Sequence, residues 1–132
     1  MTDLNANKKL VQSWFEAVNG GDVERLMSLL ADDLDYWVAG DWQMGGRHTK
    51  VELRQMMIQV AQSKMWDKPL TLTPVAFTAE GERVAVEATS TGSMKGKDYA
   101  QTYHMLFVVK NGKVAILREY LDTKHAFEFF SS

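Results

Sequence analysis

Asn111-Gly112 interrupts a long β-prone run, "HMLFVVKNGKVAILRE", and no other feature of this sequence limits its fold so tightly. Both residues tolerate the positive φ that a type I′ turn requires, so the run reads as a hairpin with a two-residue loop. Counting outward pairs Lys110 with Lys113, Val108 with Ala115, Leu106 with Leu117 and His104 with Glu119. The pleat then puts Tyr103 with Tyr120, Met105 with Arg118 and Phe107 with Ile116 on the opposite face. Directly opposed Cβ atoms lie about 4.5–5.5 Å apart, which brings His104 and Glu119 within hydrogen-bonding reach. A one-residue bulge would undo this register.

The His104/Glu119 face otherwise carries Leu106, Val108, Ala115, Leu117 and Leu121, all apolar, and reads as the interior. With a turn in "GSMKG", Gly92 to Gly96, Glu87 and Thr89 share the face of Thr102 and His104. A buried constellation Glu87–His104–Glu119 is the expectation. Tyr103, Met105, Phe107, Ile116 and Tyr120 then form an outer face suited to a homodimer contact.

The hairpin belongs to a larger pattern. "LTLTPVAFTAEG", "RVAVEATSTG", "KDYAQTYHMLFVVKNG" and "KVAILREYLD" are four β-prone segments separated by glycine-bearing turns, an antiparallel meander. Pro74 in the first of them marks a bulge or an edge strand, because proline cannot donate to a ladder. Before Met65 the period is helical. Leu10, Val11, Trp14, Phe15 and Val18 share one face of a helix stopped by "NGGD"; Asp22 caps a second helix, ended by "ADD". A strand over Leu34 to Val38, a loop "AGDWQMGG" and a third helix capped by Thr49 complete this half. Three N-terminal helices packed on a strongly curved, mainly antiparallel sheet predict an α+β domain spanning 1–132, with a cone-like cavity between the two layers.

Composition narrows the function. Fifteen Lys and Arg against seventeen Asp and Glu leave a formal net charge of -2, so no basic field attracts nucleic acid or an anionic membrane. The chain has no cysteine, which excludes disulfides, thiolate nucleophiles and zinc–thiolate sites. The first residues lack the pattern of a signal peptide, and no apolar run is long enough to span a bilayer, so the expectation is cytoplasmic.

A histidine against a carboxylate in an apolar cavity meets the requirements of a general base or proton shuttle. Two carboxylates near it could instead share a proton, or the three groups could form a structural polar network closing the cone. Metal ligation by one His and two acids lacks a local spacing motif, and no metal is expected. Tyr36 could add a hydroxyl to the cavity. Trp42, in its glycine-bounded loop, suits the cavity mouth. Met56, Met57, Met65 and Met94 suit an adaptable lining or irregular core space. His48 and His125 read as solvent-facing.

The order helix–helix–strand–helix–meander, with "FEAVNGGDVERLMSLLADDLDY" near the start and "GKVAILREYLDT" near the end, resembles the SnoaL-like, ketosteroid-isomerase-related branch of the NTF2-like superfamily. The resemblance covers nearly the whole chain. It implies a cone-shaped barrel, dimeric through the sheet's outer face, with a pocket for a small, largely apolar molecule and no cofactor. Where ketosteroid isomerases carry a base on the first strand, a tyrosine on the first helix and an acid on the third meander strand, this chain has Val38, Trp14 and His104. Where limonene-epoxide-hydrolase relatives carry Tyr-x-Asn, Arg-x-Asp and a last-strand Asp, it has Tyr36 and Val38, Glu87 and Thr89, and Glu119. Both residue sets are incomplete. The resemblance therefore implies an acid–base enzyme of isomerase, lyase/cyclase or hydrolase type acting on a carbonyl- or epoxide-type molecule. Its catalytic candidates are His104, Glu119 and Glu87, and its lining candidates Tyr36, Trp14, Val38, Trp42, Thr89, Thr102, Leu106, Leu117 and Leu121. The competing class is a non-catalytic ligand-binding or dimerisation domain.

Overall fold

The computed structural model describes residues 3–132. Helices α1 (Leu4–Asn19) and α2 (Val23–Leu29) start where Asp3 and Asp22 accept hydrogen bonds from the backbone N–H three residues on. Strand β1 (Leu30–Val38) follows α2 directly, and the loop after it returns through a short strand, β2 (Gly46–His48). This loop closes so tightly that a Cβ on Gly45 would lie 2.0 Å from the Gly40 carbonyl oxygen, a position only glycine can hold. Helix α3 (Lys50–Ser63) opens on the expected Thr49 cap, with Glu52 completing a capping box.

Four long strands complete the sheet: β3 (Lys68–Glu80), β4 (Arg83–Met94), β5 (Lys97–Lys110) and β6 (Lys113–Leu121). They form a six-stranded sheet in the order β2-β1-β6-β5-β4-β3, antiparallel except where β1 runs parallel to β6. β3 is an edge strand with a register shift between Pro74 and Ala76, so both consequences foreseen for the proline occur. The helices cover one face, and the core lies between Val11, Trp14, Phe15 and Leu26 on the helices and Val84, Val86, Met105, Phe107 and Leu117 on the sheet.

The Asn111-Gly112 turn forms with both residues at positive φ, and Lys110–Lys113 and Val109–Val114 pair as counted. Beyond them the register slips. Val108 pairs with Ile116 instead of Ala115, so Ala115 is the extra residue of a bulge. Because side chains alternate with a period of two, one inserted residue changes which faces meet across the ladder. Phe107 now pairs with Leu117, Met105 with Glu119, Tyr103 with Leu121, and His104 with Tyr120.

This corrects the expected interior. Tyr103, Met105 and Phe107, assigned above to an outer contact face, are buried in the core, whereas His104 is exposed. Glu87 and Thr89 share the face of His104 and Thr102 as expected, with Glu87 paired to His104 and Thr89 to Thr102, but that face is the outer one. There Glu87, Thr89, Thr102 and His104 are exposed and Leu106 is half-buried. Ile116 and Tyr120 alone of the expected dimer set remain outside, where Trp37 packs edge-on against Tyr120 at 5.4 Å.

A fourth helix, α4 (Thr123–Ser131), follows β6, capped by the Asp122 side chain. Gln101, buried at 4% exposure, clamps its start: Nε2 donates to the Asp122 carbonyl at 3.0 Å and Oε1 accepts from the Asp122 N–H at 3.1 Å. Among the described residues no helix is long and apolar enough to cross a membrane.

Candidate active site

Glu119 is the carboxylate that the bulge turns inward. In its row across the sheet its neighbours are Met105 on β5 and Val38 on β1, at 0% and 1% exposure, with Val86 beyond Met105. Leu117 and Leu121 flank it along its own strand. Water is therefore displaced from the carboxyl on both sides, and this burial raises its pKa from 4.5 to about 7, against the opposing effect of a hydrogen bond from Tyr36.

That bond runs from Tyr36 Oη to Glu119 Oε1 at 3.1 Å. Tyr36 sits in the adjacent row, paired with Leu117, and is itself buried. Burial first, then the neighbouring Glu119 charge, pushes its phenol well above the usual range, so it stays a donor throughout the physiological span. No other side chain among the described residues bonds the Glu119 carboxyl. His48, expected to face solvent, instead pairs with Tyr36 across β1 and β2; the two rings lie 5.5 Å apart, and His48 Nε2 is 2.8 Å from the Met44 carbonyl.

Further polar groups continue towards α4. Ser90 Oγ and Tyr103 Oη lie 2.9 Å apart, both buried, and burial raises the Tyr103 phenol. Gln101 Nε2 also donates to Tyr99 Oη at 2.9 Å. Helix α4 lays an aromatic cap over this end. Tyr99 lies 4.5 Å from Phe129 and stacks on His125 at 5.2 Å, and Trp42 stacks on Phe130 at 5.9 Å. Trp42 spends its own N–H on the Ala39 carbonyl at 2.8 Å.

The inward-facing candidates are thus Glu119, Tyr36, Trp14, Val38, Leu117 and Leu121, with Trp42 packed at the edge of the core. His104, Glu87, Thr89 and Thr102 instead line an open outer groove of about 580 Å³ with Tyr120 and Asp122. The expected Glu87–His104–Glu119 constellation is therefore divided between two sides of the sheet. Nor do three His, Cys, Asp or Glu side chains converge on one point among the described residues.

Sequence reasoning missed Tyr103 and Ser90 as interior groups, and His48 as a neighbour of Tyr36. For the first two the signal was present. β4 alternates Val84, Val86, Ala88 against Glu87, Thr89 without ambiguity, and His104 pairs with Glu87, so Tyr103 had to share the face of Ala88.

The sequence model described as a SnoaL-like domain matches residues 11–116. No curated protein sequence matches the chain. Among solved structures, the chain is similar to an NTF2-like protein from Burkholderia xenovorans LB400, 27% identical over 95% of each chain with a TM-score of 0.78. It is also similar in fold to a putative polyketide cyclase from Xanthomonas campestris pv. campestris, at 20% identity over 96% of this chain and 98% of that one, TM-score 0.78. An LEH-like epoxide hydrolase from M. tuberculosis shares the fold at 16% identity over 96% and 90%, TM-score 0.76.

Proposed function

As this chain belongs to the SnoaL-like family, we propose that it is a cofactor-independent acid–base enzyme in which Glu119 exchanges a proton with a small, largely apolar molecule held between the helices and the sheet. The observation that carries the reading is the placement of one carboxyl, fixed by Tyr36 at 3.1 Å, in an otherwise apolar row of the interior. A carboxyl that titrates near neutrality is present in both forms at pH 7, so it can accept a proton from carbon or deliver one to oxygen without a large thermodynamic gap. Tyr36 orients the carboxyl through one oxygen and leaves the other for the bound molecule. Half-buried Leu53 and Met57 of α3 and Leu121 of β6 supply apolar walls that retain access.

Relatives of this fold described as a polyketide cyclase and an epoxide hydrolase support carbonyl- and epoxide-type molecules as the first substrates to try. A panel of neutral ketones and epoxides, followed by α-proton exchange in D₂O and by epoxide loss, tests the assignment. Glu119→Gln lowers turnover by about 10²–10⁴-fold, the range of a general acid–base group, while His104→Ala leaves it unchanged. Equal rates in wild type and Glu119→Gln contradict it.

The homodimer belongs to the same proposal, with its contact now on Trp37, Ile116, Arg118 and Tyr120. Tyr120 is 47% exposed, and aromatic and arginine side chains dominate stable interfaces. Light scattering at micromolar concentration shows a dimer that Tyr120→Lys dissociates; a monomeric wild type refutes it.

A further inference from the structure

Tyr36 reaches Glu119 through one hydrogen bond, so the placement of its ring decides whether that bond forms. The ring belongs to the inward row Val84–Phe107–Leu117–Tyr36–His48, which crosses the sheet from β4 to β2. Leu117 flanks the phenol on one side and His48 on the other. Strand β2 is three residues long and forms an edge of the sheet, so no further strand lies beyond His48. Tyr36 is nevertheless only 7% exposed. The two rings stand 5.5 Å apart with their planes inclined by 48°, within the range of a packed aromatic pair.

His48 is itself fixed. Its Nε2 lies 2.8 Å from the Met44 carbonyl oxygen, which can only accept, so Nε2 carries the proton and the imidazole is anchored to the loop before β2. The residues on either side are held as well: Arg47 pairs with Asp35 of β1 on the outer face, and Thr49 caps α3. Histidine suits this half-buried edge because it presents a flat ring to Tyr36 and also satisfies a carbonyl that phenylalanine would leave unpaired.

We propose that His48 is a positioning residue whose ring holds the Tyr36 phenol on one oxygen of Glu119, leaving the other oxygen free to exchange a proton with the bound molecule. His48 acts through Tyr36, since its own hydrogen bond goes to Met44 and the Glu119 carboxyl is bonded by Tyr36. The inference rests on the reading of Glu119 as the acid–base group and adds a residue to that site.

The test follows the titration of the Glu119 carboxyl by ¹³C NMR in wild type and four variants. Wild type has its midpoint near 7. Tyr36→Phe removes the hydrogen bond that lowers this value, so its midpoint lies higher. His48→Ala moves the midpoint in the same direction. The double variant Tyr36→Phe/His48→Ala moves it no further than Tyr36→Phe alone, because a residue that works through Tyr36 has nothing left to act on. His48→Phe melts at a lower temperature for want of the Met44 bond yet keeps the wild-type midpoint, which separates positioning from stability. An unmoved or lowered midpoint in His48→Ala, additive shifts in the double variant, or a midpoint in His48→Phe that follows His48→Ala overturns the role of His48 and leaves the reading of Glu119 intact. A wild-type midpoint near 4.5 overturns that reading and this inference with it. If His48→Ala does not fold, His48→Thr, which lacks a ring and suits a strand, takes its place with the same outcomes.

Discussion

Replacing Glu119 by glutamine should make the protein more stable at alkaline pH and leave it nearly unchanged at acid pH. The reason is the buried carboxyl's raised pKa. In the unfolded chain it ionises near 4.5, and in the folded protein near 7. Below pH 4.5 both states hold the proton, and the group contributes nothing to pH dependence. Between 4.5 and 7 the unfolded state loses its proton while the folded state keeps it, so stability falls as pH rises; above 7 the loss is complete. At about 1.4 kcal/mol for each pH unit, and reduced slightly because the residue is only partly buried, the penalty reaches about 2–3 kcal/mol at pH 8.5. Glutamine can still accept the Tyr36 hydrogen bond and does not titrate. For a chain of 132 residues this corresponds to a melting temperature about 10 °C above wild type at pH 8.5. Urea or thermal melts of both proteins at pH 4, 5.5, 7 and 8.5 isolate the effect, since every other group is common to the two. Parallel curves, with a constant difference across the range, would refute the placement of Glu119 in the interior.

Two further outcomes follow from the same geometry. Deleting Ala115 removes only the extra residue and leaves Val109–Val114, Val108–Ile116, Phe107–Leu117 and Met105–Glu119 to pair in a regular ladder, so Glu119 stays inward and cooperative melting by circular dichroism persists; loss of cooperative melting contradicts the register. Tyr36→Phe removes the hydrogen bond that holds the Glu119 pKa down. The stability difference from Glu119→Gln then still begins near pH 4.5 but reaches its plateau above pH 7, and a plateau that moves down contradicts the donor role of Tyr36.

The helix–helix–strand–helix–meander order was readable because each element carries its own local signal: caps at Asp22 and Thr49, glycine-bearing turns, and the change of period after Met65. Asn111-Gly112 marked its turn correctly for the same reason. The site depended on one residue that carries no signal. In Val114-Ala115-Ile116-Leu117 four consecutive apolar side chains satisfy either phase of alternation, so nothing local distinguishes a bulge at Ala115 from a regular ladder. The information lay one strand away, in the clean alternation of Val84, Val86 and Ala88 against Glu87 and Thr89. The turn in "GSMKG" puts Glu87 on the face of His104, but the apolar company of Leu106 and Val108 makes that face look like the interior. Helix α4 went unread because "TKHAFEFF" is rich in aromatic residues that favour strands. Its helicity comes from the Asp122 cap, the Gln101 clamp and the docking of Phe129 and Phe130, which are tertiary features. Tyr36 and Glu119 were both proposed from sequence, but their partnership required the parallel pairing of β1 with β6, which no turn motif announces.

Of the two groups, Glu119 faces the interior and His104 faces out, so Glu119 is the proposed acid–base group. A pH titration of the Glu119 side-chain carboxyl by ¹³C NMR, assigned through Glu119→Gln, addresses it directly. An inward-facing Glu119 titrates with a midpoint near 7. A midpoint near 4.5, the value of a carboxyl in water, would place Glu119 on the outer face and contradict the account.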